Sequence, residues 1–230
     1  MRKLLIGALV ILLLPGAFML SSCSKKSGEA PLVITPTVTP VPYSVMVYLV
    51  TPTDKSFSPD FYRAARSCMQ SLQSWYKTQL GKTFVLNPVI VDTITAMHNS
   101  TWFNTNNGDS ISGADAFAWH NTYYEMQQLL GNKFDTTHIT YFAFVNADFG
   151  EETKPRGLAA QGLNNLTGLA SQYPNGSTGA DGHALAHAFG LPEPQNPLAN
   201  GIMSTGYTNW PNCVFTTDEA SFLTSRPFLQ

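Results

Sequence analysis

The feature that most constrains the fold is an alternation of short apolar runs with longer segments of helical periodicity. Residues 45–50 are uninterrupted apolar side chains, as is typical of a buried strand. Residues 58–60 then supply a helix N-cap, a proline at the first helical position and a first-turn acid. Because apolar residues recur at helical spacing up to Leu80 and Gly81 follows, we expect one long helix to end there.

The rest of the chain continues this alternation. Residues 83–93 read as a second strand, in which Pro88 indicates an edge or a bulge. A second helix is expected from 112–113 to 130–131, and further strands at 138–145 and 157–160. Residues 216–219 have the pattern of a capping box that opens a last helix. This order predicts an α/β architecture with a partly parallel sheet.

The N-terminus has the layout of an export signal. Arg2 and Lys3 precede an apolar segment at 4–14, and Leu20-Ser21-Ser22-Cys23 resembles the bacterial lipobox. A transmembrane anchor is the alternative, but the apolar stretch ends at residue 20 and Pro15 interrupts it. We therefore expect a signal peptide at 1–22, lipidation of Cys23, and anchorage in the bacterial cell envelope, on the periplasmic or surface side of the outer membrane.

The segment that follows reads as a tether. Residues 23–42 hold the lipidated cysteine and a run in which proline alternates with threonine and valine, which favours an extended chain. The folded domain is expected over residues 43–230.

Composition narrows the classes of function. Charged residues make up 12% of the chain and the net charge is −2, which argues against nucleic-acid binding. Hydrophobic residues make up 43%, enough for a buried core. Beyond Cys23, Cys68 and Cys213 remain; they can pair in an oxidising compartment or stay as buried free thiols.

The residues that carry chemistry lie between 182 and 194. His183 and His187 are four apart, which puts both imidazoles on one helical face. Gly190 permits a sharp turn, and Glu193 then offers a carboxylate. Two histidines and a carboxylate form a legitimate zinc shell that leaves a fourth position open for water.

This segment resembles the signature of the metzincin-type zincins, HExxHxxGxxH followed by a Met-containing turn. The match covers His183, His187 and Gly190, with Met203 as the Met-turn candidate and Tyr207 shortly after it. The resemblance implies a zincin-like fold: a twisted mixed sheet with two packing helices, an active-site helix and a small C-terminal part. It also implies a zinc metallopeptidase that hydrolyses peptide bonds with zinc-activated water, with the peptide along the edge at 157–161.

Two positions depart from that signature. Glu193 stands where the family has His or Asp, and Ala184 stands where the family has its general base. Loss of a positioned base costs about 10²–10⁴ in rate, so we expect impaired catalysis unless another carboxylate substitutes. The carboxylates nearby in sequence are Glu151, Glu152 and Asp181.

The alternatives to a peptidase follow from Ala184. The chain can be a non-catalytic module that keeps the fold and grips a peptide or protein, or a structural lipoprotein with an empty site. The two histidines can make ordinary hydrogen bonds, Glu193 can be a solvated loop residue, and Tyr207 can stabilise an oxyanion or simply pack. The other histidines lack ligand spacing and are expected to be structural or exposed: His98, His120 and His138.

Overall fold

A mainly parallel β-sheet with helices on both faces forms the framework of the domain. The computed structural model describes residues 41–106, 117–154 and 157–230, with 151–154 as backbone alone. The expected signal peptide, Cys23 and most of the tether lie outside these residues.

The described strands and helices follow one another as the sequence predicted, with additions. The strands are β1 (Ser44–Thr51), β2 (Val85–Leu86), β3 (Asp92–Thr95), β4 (Ile139–Val145), β5 (Glu151–Lys154) and β6 (Leu158–Gln161). The helices are α1 (Pro59–Leu80), α2 (Phe117–Leu130), α3 (Leu163–Leu169), α4 (Asn175–Ala188) and α5 (Thr217–Thr224).

The sheet has the order β2-β1-β4-β6-β5, with β3 also paired to β1. Every pairing is parallel except that of β5, which runs antiparallel to β6. The predicted α/β class with a mixed, mostly parallel sheet is thus confirmed. Along this order β5 is the terminal strand, and the 157–161 segment predicted as the edge is instead an internal strand; that prediction was wrong because β5 itself was not recognised.

Strand β1 divides the core between the two faces of the sheet. Val45, Val47 and Leu49 face the cluster formed with α1, α3, α4 and α5, whereas Met46 and Tyr48 face the cluster formed with α2. Since side chains alternate along a strand, one apolar run supplies both faces. This explains why the run reads as continuously hydrophobic.

Helix α1 begins and ends where the sequence predicted. The Ser58 hydroxyl accepts the Phe61 N–H at 3.2 Å, and the N–H of Gly81 bonds to the Lys77 carbonyl at 3.0 Å. The face that packs on the sheet carries its buried residues, which are Ala65, Cys68, Met69, Leu72, Trp75 and Tyr76. Helix α5 is likewise opened by the predicted capping box between Thr216 and Glu219.

Two predicted elements differ. The single strand expected at 83–93 is two short strands, β2 and β3, because the segment with Pro88 between them does not pair. The described part of the second helix begins at Phe117, and its expected start at 112–113 lies outside the described residues.

The two domain cysteines are free thiols, and both are buried. Burial raises the pKa of Cys68, and it raises the pKa of Cys213 to about 11. Of the two alternatives left open by the sequence, the buried free thiol is the one observed. In the described part of the chain, no helix has the length and apolarity needed to cross a membrane.

We predict that Cys68 and Cys213 resist alkylation in the folded protein and react fully once it is unfolded. Because the folded pKa of Cys213 lies above the value of an exposed thiol, the free energy of unfolding should fall as pH rises from about 9 towards 11. Iodoacetamide labelling read by peptide mass spectrometry, with denaturation at several pH values, measures both. Rapid native labelling at pH 8 would contradict the burial.

Candidate metal centre

Helix α4 carries both candidate histidines and lies against β5 and β6 at the end of the sheet. The predicted spacing places the two rings together: their centroids are 4.6 Å apart, and the two Nε2 atoms are 3.1 Å apart. Two nitrogens bound to one tetrahedral zinc at 2.0–2.1 Å are separated by about 3.3 Å. The imidazoles of His183 and His187 therefore stand at the separation that a shared metal ion requires.

Backbone carbonyls hold each ring from behind. Nδ1 of His183 lies 3.0 Å from the carbonyl oxygen of Ile202, and Nδ1 of His187 lies 2.7 Å from that of Leu191. A carbonyl oxygen accepts but cannot donate, so in each neutral ring the proton is on Nδ1. Both Nε2 atoms then face each other, where they can share a metal ion or a proton. This is the arrangement in which metal-ligating histidines are oriented by an outer hydrogen bond.

Glu193 completes the group, because the chain turns back after α4. Gly190 adopts φ 96°, a left-handed conformation that side chains disfavour, and the Leu191 N–H bonds to the Ala186 carbonyl at 3.1 Å. Glu193 Oε1 then lies 3.1 Å from Nε2 of His187, and the three ligand atoms all lie within 4.8 Å of one another. The carboxylate side is open to solvent: the Glu193 side chain is 75% exposed, against 7% for His187.

The electrostatics of this group suit a cation. Burial lowers the pKa of His183, and the adjacent His187 lowers it further. A neutral imidazole is the form that binds a metal. Two nitrogen acceptors and a carboxylate meet at one point, and a zinc ion accepts this set of donor atoms.

The Met-turn candidate lies directly behind His183. Ser204 bonds back to the carbonyl of Gly201 at 3.0 Å, so residues 201–204 form a tight turn. Ile202, within this turn, supplies the carbonyl for His183, and Met203 is 2% exposed in the core shared with α4. Tyr207 follows in a 3₁₀ turn, with its ring centroid 5.7 Å from that of His183.

Position 184 is turned into the core. Ala184 is fully buried in the cluster between the sheet and α1, and its methyl group offers no proton acceptor. Asp181, one of the carboxylates that could replace the missing base, is also fully buried, and it accepts a hydrogen bond from the Cys68 thiol on α1 at 3.0 Å. Glu151 and Glu152 belong to strand β5, of which the structure describes the backbone alone.

The remaining histidines lie elsewhere. His98 contacts the buried Glu125 at 2.7 Å, His138 contacts Asp135 at 2.7 Å, and the His120 ring meets that of Trp119. Within the described ranges, the one group of three or more potential ligands is the set formed by His183, His187 and Glu193. Sequence reasoning missed the two orienting carbonyls, since a backbone acceptor leaves no signal in residue type.

The mostly parallel sheet, with helices on both faces and the histidine-bearing helix at its end, defines a mixed α/β fold. This fold is similar to that of OgpA from Akkermansia muciniphila. A catalytically inactive OgpA in complex with an O-glycopeptide substrate matches with a TM-score of 0.55 and 11% identity, over 80% of this chain and 60% of that one. Wild-type OgpA matches with a TM-score of 0.57 and 12% identity, over 84% and 65%.

This chain therefore spans less than two thirds of the length of either OgpA chain. At these identities the likeness shows the fold alone. No protein-family model and no curated protein matches the sequence.

We predict that His187→Ala abolishes stoichiometric zinc binding, because two ligands rarely hold the ion against dilution. The matched control is His138→Ala, since His138 contacts Asp135 at the surface and should leave zinc content unchanged. Zinc per chain, measured by atomic emission after gel filtration, reads out both. Full zinc content in His187→Ala would remove this histidine from the site.

Proposed function

We propose that this protein is a lipid-anchored, zincin-like protein that holds zinc through His183, His187 and Glu193 and binds peptides beside it, with impaired hydrolysis. The observation that carries the proposal is the convergence of two imidazole nitrogens and a carboxylate within 4.8 Å. Such groups repel one another unless a metal ion or a proton lies between them, and three of them together match the donor set of zinc.

Each residue of the centre has a distinct task in this proposal. The Ile202 and Leu191 carbonyls keep the imidazoles oriented, and Glu193 closes the open side. Zinc held there supplies a Lewis acid that polarises a carbonyl and lowers the pKa of water. The Tyr207 ring lies beside that of His183, and we propose that its hydroxyl donates a hydrogen bond to the carbonyl oxygen of a bound peptide.

The peptide is proposed to lie along β5. This strand pairs on one side with β6, is the last in the strand order, and contacts α4, so an extended peptide added at its other side runs past the metal centre. A cavity of about 430 Å³ adjoins Glu193 and is lined by residues 191–196 and the start of α5. It offers room for a side chain of the peptide or for a group attached to it.

Ala184 favours binding over catalysis. A bound peptide needs a group that takes a proton from the attacking water, and a buried methyl group cannot do so. The second candidate function is accordingly a peptide-binding pseudopeptidase, which keeps the fold and the metal without turnover. Because OgpA was crystallised with an O-glycopeptide, the ligand panel for both candidates includes O-glycosylated as well as plain peptides.

We predict that the wild-type chain, loaded with zinc, cleaves a peptide library very weakly or not at all. In a variant that folds and binds zinc like the wild type, Ala184→Glu should raise the rate by at least about 10², because its longer side chain would carry a carboxylate from the buried position 184 towards the centre beside His183. Ala184→Gln is the matched control, since it has the same shape without basicity and should stay inactive. Cleavage is followed by mass spectrometry, with zinc content measured on each variant.

Three results would change this assignment. Robust wild-type cleavage that a chelator abolishes would mean that another residue supplies the base. Ala184→Glu that binds zinc, binds peptides and still fails to cleave them would favour the pseudopeptidase. Wild-type protein without stoichiometric zinc would contradict the metal centre itself.

The anchor is also a proposal. We expect Cys23→Ser to leave an unprocessed or soluble precursor, because the acylated thiol is the group that holds the mature chain to the membrane. Detergent-phase partitioning of cell extracts measures this, with Ser27→Ala as a control that should partition like the wild type. Equal partitioning of Cys23→Ser and wild type would contradict lipidation at this residue.

A further inference from the structure

The helix that carries the histidines is held from behind by α1. The Tyr76 hydroxyl donates to the carbonyl oxygen of Gly182 at 2.8 Å, and the Cys68 thiol contacts Asp181 at 3.0 Å. Both contacts are buried and both meet the turn of α4 directly before His183. Tyr76 and Cys68 are not among the three proposed ligands. Both lie on α1, away from the segment that resembles the HExxHxxGxxH signature.

Tyr76 contacts α4 on both sides of the two histidines. Its hydroxyl is on Gly182, which precedes His183, and its ring meets the ring of Phe189, which follows His187, with centroids 6.1 Å apart. The same ring is fixed edge-on by Phe84 at 5.4 Å and Phe215 at 5.3 Å. A fully buried side chain so constrained has little freedom to move.

Gly182 lets the supporting elements approach closely. A Cβ at this position would stand 3.0 Å from Leu72 Cδ2 on α1 and 2.9 Å from Ile202 Cδ1. Ile202 is also the residue whose carbonyl orients His183. The turn at Gly182 is thus packed between α1 and the segment that sets the ring of the first histidine.

We propose that Tyr76 is a positioning residue of the metal centre: through its hydroxyl on Gly182 and its ring on Phe189 it fixes the part of α4 that bears His183 and His187. The proposal rests on the proposed zinc site. The Nε2 atoms stand 3.1 Å apart on side chains from adjacent turns, so a small shift of either turn changes this separation. Groups that orient metal ligands typically affect affinity by 10- to 100-fold.

The test compares two fully buried tyrosines, one packed against α4 and one on the opposite face of the sheet. Tyr76→Phe removes the hydroxyl and keeps the ring contacts. Tyr141→Phe is the control, because Tyr141 is equally buried, donates to the Lys133 carbonyl at 2.8 Å, and lies on the face of the sheet that packs on α2. Tyr76→Phe removes one buried hydrogen bond, and Tyr141→Phe removes two partly buried ones, because the Tyr141 hydroxyl also accepts from the Asp135 N–H at 3.0 Å. Both changes should therefore lower the melting temperature.

Only Tyr76→Phe should affect the centre. We expect it to raise the zinc dissociation constant of the full chain about tenfold. It should also shift the visible absorption bands of the cobalt-loaded protein, whereas Tyr141→Phe leaves both as in the wild type. If both variants lose thermal stability and both keep wild-type zinc affinity and cobalt spectrum, Tyr76 is merely structural and the proposal is wrong, whichever of them loses more.

A metal-free measurement separates this proposal from the zinc site. In the apoprotein at pH 8, ring ¹⁵N resonances of His183 and His187 report the tautomer of each imidazole and its hydrogen bond to the Ile202 or Leu191 carbonyl. Tyr76→Phe should move these resonances, because it shifts the turns of α4 that carry the rings, and Tyr141→Phe should not. If the wild type binds no zinc, the proposed function fails and these resonances decide the positioning role. Unmoved resonances in Tyr76→Phe would overturn it.

Discussion

The centre depends on one electrostatic constraint: the Nε2 atoms of two imidazoles face each other at 3.1 Å with a carboxylate beside them. The backbone sets this constraint, since the carbonyls of Ile202 and Leu191 accept from both Nδ1 atoms and so turn both Nε2 atoms towards one point. A metal ion or a proton shared at that point relieves the repulsion among these groups. The rest of the domain can be understood as the support that keeps α4, the turn at Gly190 and the turn at Met203 in register.

That support is distributed over distant parts of the chain. The sheet carries α4 against β5 and β6, and α1 holds the turn before His183 through Cys68 and Tyr76. The interior around them is aromatic and fully buried, so it resists small displacements. The proposed metal centre would gain most from such rigidity, because Glu193 is 75% exposed and packing holds the histidines alone.

In the proposed function, binding and catalysis are separate properties, because position 184 carries no proton acceptor. The three potential ligands, strand β5 and the cavity beside Glu193 are the features that we propose contact a peptide, and none of them requires a proton acceptor. Ala184 fits the core without leaving a polar group to satisfy. The likeness to OgpA concerns the fold.

Local patterns in the sequence determined the strands β1 and β4, the limits of α1, the capping box of α5 and the i, i+4 pairing of His183 with His187, because each depends on neighbouring residues. The sequence pattern did not predict strand β5 or helix α3, because elements of four and seven residues are too short to show a clear hydrophobic period. Only the tertiary structure decided that Glu193 returns to His187, that Cys68 and Cys213 stay apart and that Tyr76 meets α4. These contacts join residues from separate elements, and packing of the whole chain sets their distances.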